Sequence, residues 1–279
     1  MRSLYKRPEQ VAAMVPAGRL TCLALDAVEA AIRPGVTPLE LDAIAERTIR
    51  VAGGEPNFAL VEGYRHTICC SVNDAVVHGI PSATPLAPGD LVSIDGGALL
   101  DGWNGDSART FLVPGGDAAR EAEARRVSEA AREAMWAGIA ALAKSRHLNA
   151  VGDAVEAVVD ALVEADGRPL GILEGYSGHG IGRSMHEDPE VYNYSVRGRG
   201  PLVKPGLCVC IEPMLTGGSA DVGEDADGWT VRTLDGSLAA HWEHTVLVHA
   251  DGIWVSTALD GGTAGLRDYG VVPVLPAGA

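Results

Sequence analysis

The chain nearly repeats itself, and the repeat limits which folds can carry it. Pro88-Gly89-x-x-Val92-x-Ile94-Asp95 is matched position for position by Pro205-Gly206-x-x-Val209-x-Ile211-Glu212, 117 residues later. Upstream, His78-x-x-Pro81 has a counterpart in His186-x-x-Pro189. Downstream, each half carries a second acid shortly before a threonine and an apolar run: Asp106 before Thr110-Phe111-Leu112-Val113, and Glu243 before Thr245-Val246-Leu247-Val248. The order predicts a pseudo-symmetric α+β domain whose halves each offer a histidine and two carboxylates to a shared centre.

The acids sit in an unusual setting. Asp101-Gly102 is a hairpin-turn dipeptide. With the turn there, position 95 pairs with 108 and position 97 with 106, so Asp95 and Asp106 become diagonal neighbours on one face. Both lie among residues that read as buried strand, where unpaired carboxylates are costly. Basic partners, raised pKa values or bound cations could each compensate. Arg109 is a nearby candidate partner for one acid. Glu212 and Glu243 arise in equivalent settings in the second half, and basic residues at strand positions are too few for four acids. Two divalent cations would balance one charge per carboxylate. The Gly-flanked run Gly178-His179-Gly180-Ile181-Gly182-Arg183-Ser184-Met185-His186 adds neutral nitrogen. Carboxylates with a single imidazole favour Mn, Fe(II), Co or Mg-like ions over a thiolate-bound structural zinc.

Helices frame these strands. A first helix is expected over roughly Pro8 to Ile32, with Pro16 a kink. Thr37, Pro38 and Glu40 form a capped start for a second, with Leu41, Ile44, Ala45, Thr48 and Ile49 on one face. A long Ala/Glu/Arg-rich helix begins near Asp117. Another follows Asn149, buries Val151, Val155, Val158, Val159 and Leu162, and stops at Gly167. No linker composition divides the halves, so residues 1–258 read as a single catalytic domain, and the Gly/Pro-rich residues 259–279 as a loosely packed tail.

Charge and cysteines narrow the setting. Lys+Arg 22 against Asp+Glu 37 gives −15, which argues against nucleic-acid or anionic-membrane binding and suits a substrate with a free ammonium group. Residues 1–10 have no secretion-signal core, and no apolar run approaches the roughly 18–20 residues that span a bilayer. The five cysteines, Cys22, Cys69, Cys70, Cys208 and Cys210, lack zinc spacing and read as reduced and buried, which points to the cytoplasm.

These residues together resemble the methionine aminopeptidases of the short bacterial type I form, within the pita-bread (creatinase-like) fold. The resemblance covers about Pro8 to Ser256. It rests on Ser71-Val72-Asn73-Asp74-Ala75-Val76-Val77-His78-Gly79-Ile80-Pro81, Ile94-Asp95, Gly105-Asp106, Gly178-His179-Gly180-Ile181-Gly182, Ile211-Glu212-Pro213-Met214 and Glu243-His244-Thr245. It implies a pseudo-twofold antiparallel sheet with helices on its outer face. It also implies hydrolysis of an N-terminal methionine before a small second residue, by a hydroxide activated between two divalent ions (Co, Mn, Fe(II), Zn or Ni). By resemblance Asp95 binds one metal, Asp106 and Glu243 bridge both, and His179 and Glu212 complete the second. Glu212 also moves the proton, while His78 and His186 contact substrate without binding metal. Cys69 and Trp229 match residues lining the methionine pocket. Phe58, Val61 and Met185 stand where a Cys, a Tyr and a Phe are usual, and all three keep the pocket apolar. Asp101, His66 and His244 fall outside the family's ligand set. The implied partner is a nascent polypeptide N-terminus, with the ribosome a further candidate, and the implied state is a monomer.

Three rivals share the fold. An Xaa-Pro aminopeptidase or dipeptidase usually adds an N-terminal domain and an extra histidine arrangement, neither of which is found here. A metal-free binding module and a creatinase-type hydrolase are disfavoured because all five ligand positions are filled.

Overall fold

The structure is a computed structural model and describes residues 4–279. Helices α1 (Pro8–Glu29) and α2 (Pro38–Val51) come first. Short strands β1 (Glu55–Pro56), β2 (Ile68–Val72) and β3 (Ala75–Val77) then lead to a long hairpin, β4 (Leu91–Leu100) and β5 (Trp103–Leu112). A helical pair, α3 (Ala118–Lys144) and α4 (Ala150–Asp166), separates this half from the next. There follow β6 (Gly171–Ile172), β7 (Gly178–Gly180), β8 (Glu187–Val191), β9 (Cys208–Ile211), β10 (Met214–Thr216), β11 (Val222–Glu224), β12 (Val231–Thr233), β13 (Ala239–His241), β14 (His244–His249), β15 (Gly252–Val255) and the short α5 (Thr263–Leu266).

The hairpin register is the one the Asp101-Gly102 turn dictates. Asp95 faces Ala108 and Gly97 faces Asp106. Asp101 (φ 51°) and Gly102 (φ 73°) both take positive φ, as a tight two-residue turn that follows strand twist requires. Around this hairpin β4 is flanked by β1 and β2, and every ladder is antiparallel. In the second half β9 pairs with β14 and β7, in the sheet order β15-β14-β9-β7-β8. The two repeated motifs thus occupy β4 and β9, and each leads to a paired strand (β5, β14) with an acid at or next to it.

Hydrogen bonds join the halves along the β5–β14 seam. The Thr245 hydroxyl accepts from the Asp106 amide (3.0 Å) and donates to its carbonyl (2.8 Å). The Ser107 hydroxyl donates to the Glu243 carbonyl at 2.6 Å, and the Glu243 amide to the Ala108 carbonyl at 2.9 Å. This buried polar seam fixes the two strands that carry Asp106 and Glu243.

Helix starts and stops follow their local chemistry. Thr37 and Glu40 form a reciprocal capping box, and Asp117 caps α3 through the amides of Ala119 and Arg120. Gly167, in the left-handed region, closes α4. The buried face of α2 is Pro38, Leu41, Ala45 and Ile49, with Ile44 and Thr48 half-buried beside it. Likewise α4 buries Val151, Val155 and Val159 while Val158 and Leu162 lie at its margin. Pro16 lies inside α1, which ends at Glu29, three residues short of the expected Ile32.

Helix α1 corrects the expectation that no segment approaches membrane-spanning length, because its 22 residues pass that test by length and composition. Its apolar residues are spent inside the protein: Val11, Met14, Leu20 and Leu25 are buried in clusters shared with strand residues such as Trp103, Ala98 and Ile94. The larger core lies under α3 and α4 against β9, β14 and β15. Residues 259–279 are anchored to the core at a few points and otherwise mostly exposed, Val272 and Leu275 among them. Leu266 belongs to that core, and the Val274 amide donates to the Ile253 carbonyl at 2.9 Å.

Candidate metal centre and its pocket

All the site residues picked from the sequence line one cavity of about 180 Å³. Asp95 comes from β4, Asp106 from β5 and His179 from β7, while Glu212 follows β9 and Glu243 precedes β14. His78 follows β3 with φ 58°, and His186 precedes β8. Phe58, Val61, Cys69, Met185 and Trp229 form the apolar wall. The sequence reading missed Tyr64, which is 5% exposed and joins that wall. Its ring meets Phe58 edge-on at 6.4 Å and Trp229 at 5.0 Å, and its hydroxyl donates to the Ile68 carbonyl at 2.7 Å.

At the inner end the carboxylates converge. Asp95, Asp106 and Glu243 each offer an oxygen within 4.8 Å of the other two. His179, Cys210 and Glu243 form a second such group, and Glu212, His241 and Glu243 a third. Among the described residues, Asp95 Oδ1, Asp106 Oδ1 and Glu243 Oε1 are buried without a hydrogen-bond partner. Bare buried carboxylate oxygens are costly unless a proton or a cation attends them. Burial is the main cause that pushes Asp95, Glu212 and Glu243 well above the usual carboxylate range, and mutual repulsion adds to it. Burial likewise pushes Asp106 up to about 7. Arg109 does not relieve them. Alternation along β5 sends it to the other face, where it pairs with Asp26 at 2.7 Å and donates to Cys22 Sγ at 3.0 Å. With no basic side chain among them, the donor set fits divalent cations.

The histidines are held neutral. Burial lowers His179 to about 4, with repulsion from His186 adding to the effect, and burial also lowers His78 and His186. The His179 and His186 rings meet edge-on at 4.3 Å between centroids. His179 owes its position to the glycines beside it. A Cβ on Gly178 would come within 2.3 Å of the Cys210 carbonyl oxygen, and one on Gly180 within 2.1 Å of the Asp188 oxygen. Only glycine lets β7 lie so close to its neighbours. The sequence reading also passed over His241, which is 1% exposed, and whose Nε2 lies 3.7 Å from Glu212 Oε2. Its only sequence signal was proximity to Glu243.

The residues set aside as structural lie outside the cavity. Asp101 makes the hairpin turn, His66 pairs with Asp42 at 3.2 Å, and His244 meets the Thr257 hydroxyl at 2.8 Å beneath Trp136.

Clamps then hold the His179–His186 segment over the acids. The Arg183 guanidinium stacks on Trp103 at 3.9 Å and donates to the carbonyls of Asp101 (3.2 Å) and Gly102 (2.8 Å). The Asn104 amide donates to the Gly182 and Arg183 carbonyls at 3.1 and 3.2 Å. Lys6 closes the outside through Glu187 at 3.0 Å.

Comparison with known proteins places this geometry. Residues 12–250 match metallopeptidase family M24. The chain is 52% identical over 241 residues to methionine aminopeptidase 1 of Mycobacterium tuberculosis, covering 86% of this chain and 89% of that one. It is 35% identical over 254 residues to methionine aminopeptidase of Escherichia coli, covering 90% and 92%. Among solved structures it is similar to methionine aminopeptidase from Rickettsia prowazekii, with TM-score 0.84, 32% identity, and 91% and 99% of the two chains covered. The Xaa-Pro dipeptidase of Bacillus anthracis shares the fold alone, at TM-score 0.68 and 20% identity, and this chain spans 62% of it. The architecture is the α+β pita-bread fold.

Proposed function

The chain belongs to metallopeptidase family M24, and on that premise we propose that it is a methionine aminopeptidase, acting on peptides and new proteins whose second residue is small. The observation that carries the reading is the joining of two features in one cavity: partnerless buried carboxylates at its inner end and an apolar wall around it. The volume, about 180 Å³, is below the roughly 300–1,000 Å³ of drug-sized sites and suits a single side chain.

Asp95, Asp106, His179, Glu212 and Glu243 would hold two divalent ions; Mn, Fe(II), Co, Zn and Ni are the candidates. Such ions supply Lewis acidity and make water a nucleophile near neutral pH. The protein's own groups do the rest. The buried acids of the cavity would receive a free ammonium group at the substrate's first residue, which favours exopeptidase action. Phe58, Tyr64, Cys69, Met185 and Trp229 enclose an unbranched apolar side chain. Glu212 takes the proton of the attacking water on a carboxylate oxygen and delivers it to the leaving amine. His186, neutral, donates its N–H to the carbonyl oxygen as charge builds there. His78 holds the scissile amide from the other side.

This reading further assigns residues 1–258 to one catalytic unit, a monomer acting in the cytoplasm on nascent chains, with the ribosome as a docking partner. The direct test is turnover of Met-Ala-Ser and Ala-Pro peptides by chelated protein reloaded with one metal at a time. Release of methionine from the first, and no cleavage of the second, is expected. Preference for Ala-Pro, or no metal-dependent cleavage of either peptide, refutes the assignment.

A further inference from the structure

His241 is not among the five residues assigned to metal, yet it is placed like one. It ends β13 and its main chain is clamped from two sides. Its amide donates to Ser93 Oγ (3.2 Å) and Thr110 Oγ1 (3.0 Å), and its carbonyl accepts from Thr110 Oγ1 at 2.8 Å. Ser93 and Thr110 belong to the same two strands that carry Asp95 and Asp106, so the ring is fixed relative to the acids. Its Nε2 is buried and without a hydrogen-bond partner. It faces the Glu212 carboxylate, with Oε2 at 3.7 Å.

That distance separates two readings. A hydrogen bond from imidazole to carboxylate needs about 2.7–3.2 Å. Two donors each about 2.1 Å from one cation, at angles of roughly 90–130°, lie about 3.0–3.8 Å apart. The spacing of His241 from Glu212 therefore suits two ligands of one ion and is too long for a hydrogen bond. His179 Nε2 stands at a comparable 3.5 Å from the other Glu212 oxygen. Glu212 is thus flanked by an imidazole on each side, and Glu243 also brings an oxygen into the His241 group within 4.8 Å.

We infer that His241 supplies a further imidazole nitrogen to the cation held by Glu212 and Glu243, making the ligand set six residues rather than five. The inference rests on the proposed metal centre and adds nitrogen to one of its two positions. A second nitrogen would bias that position toward ions that favour imidazole, such as Zn, Fe(II) or Ni, over those satisfied by oxygen alone.

The test is a crystal structure of wild-type protein loaded with Mn(II), with the ions located by anomalous scattering, beside calorimetric Mn(II) titration of chelated wild type and His241→Phe. A cation within about 2.3 Å of His241 Nε2 is expected. His241→Phe should bind one ion as wild type does and the other at least tenfold more weakly. Its Co(II) absorption bands should also shift. Cations seated among the acids but more than about 3 Å from Nε2, or unchanged affinities and Co(II) bands in the variant, overturn the role of His241 while leaving the centre standing. Failure of wild type to bind any divalent ion overturns both.

Discussion

His186 shows at the scale of one residue how position decides role. It shares a short segment with His179 and nearly touches its ring, yet it is His179 that groups with Glu243 and stands 3.5 Å from a Glu212 oxygen. His186→Ala should therefore keep both ions and lose about 10²–10³-fold in kcat, the usual loss for one oxyanion donor. Calorimetry and peptide turnover on the same sample check this; loss of the ions instead would make His186 a ligand. Single residues were legible in the sequence where a rule of register governed them. Asp95 and Asp106 follow from one turn and the two-residue period of a strand. The same period sends Arg109 away from the acids, although sequence proximity suggested a partner. Tyr64 and His241 carried no such rule. Both are placed by tertiary packing: Tyr64 joins the cavity wall from the loop before β2, and His241 comes up behind Glu212 from a short strand on a different sheet.

The contact between the β4–β5 turn and the loop after β7 is the element-scale device that sets the site. Arg183 bridges them by stacking on Trp103 and binding two turn carbonyls. Arg183→Ala removes about 0.5–1 kcal/mol of cation–π energy and these hydrogen bonds. A midpoint drop in urea unfolding worth about 1–2 kcal/mol is expected, together with reduced kcat as His186 loses its support. Unchanged kcat would show that the clamp serves stability alone. Gly102→Ala acts on the same turn from the other side. Its φ of 73° is strained for alanine by about 1–3 kcal/mol, and the added Cβ would press on the Arg183 guanidinium. A melting temperature lower by at least about 2 °C should result. Element boundaries were readable wherever capping chemistry stood in the sequence, as at Thr37, Asp117 and Gly167. They were least readable in the second half, where strands of two to six residues form between irregular turns and little periodicity can build up.

For the whole molecule, the repeat stated the plan and the buried charge states its cost. Without cations the four acids keep raised pKa values in the folded state and ordinary ones when unfolded. The folded chain then binds more protons, so stability falls as pH rises through the about 7 of Asp106. Below about 6.5 the buried neutral histidines act oppositely, because the unfolded state takes up their protons. Between pH 6.5 and 7.5, below the range in which thiols ionise appreciably, chelated protein should melt at progressively lower temperature, and saturating Mn(II) should abolish that slope. A flat melting profile for chelated protein across that window would mean that the acids are already paired. The pseudo-symmetric plan was readable because both halves place equivalent acids next to paired strands. The two anchor points of residues 259–279 were not, since the Leu266 side chain and the Val274 amide meet the core through tertiary contacts rather than through any local pattern.

Calorimetric titration of chelator-stripped protein with Mn(II) near pH 7, run in two buffers of different ionisation enthalpy, measures ion stoichiometry and proton release together. Two ions per chain, entering with release of protons from the buried acids, is the predicted result. Binding without proton release, or no binding at all, would contradict a centre built from Asp95, Asp106, His179, Glu212 and Glu243.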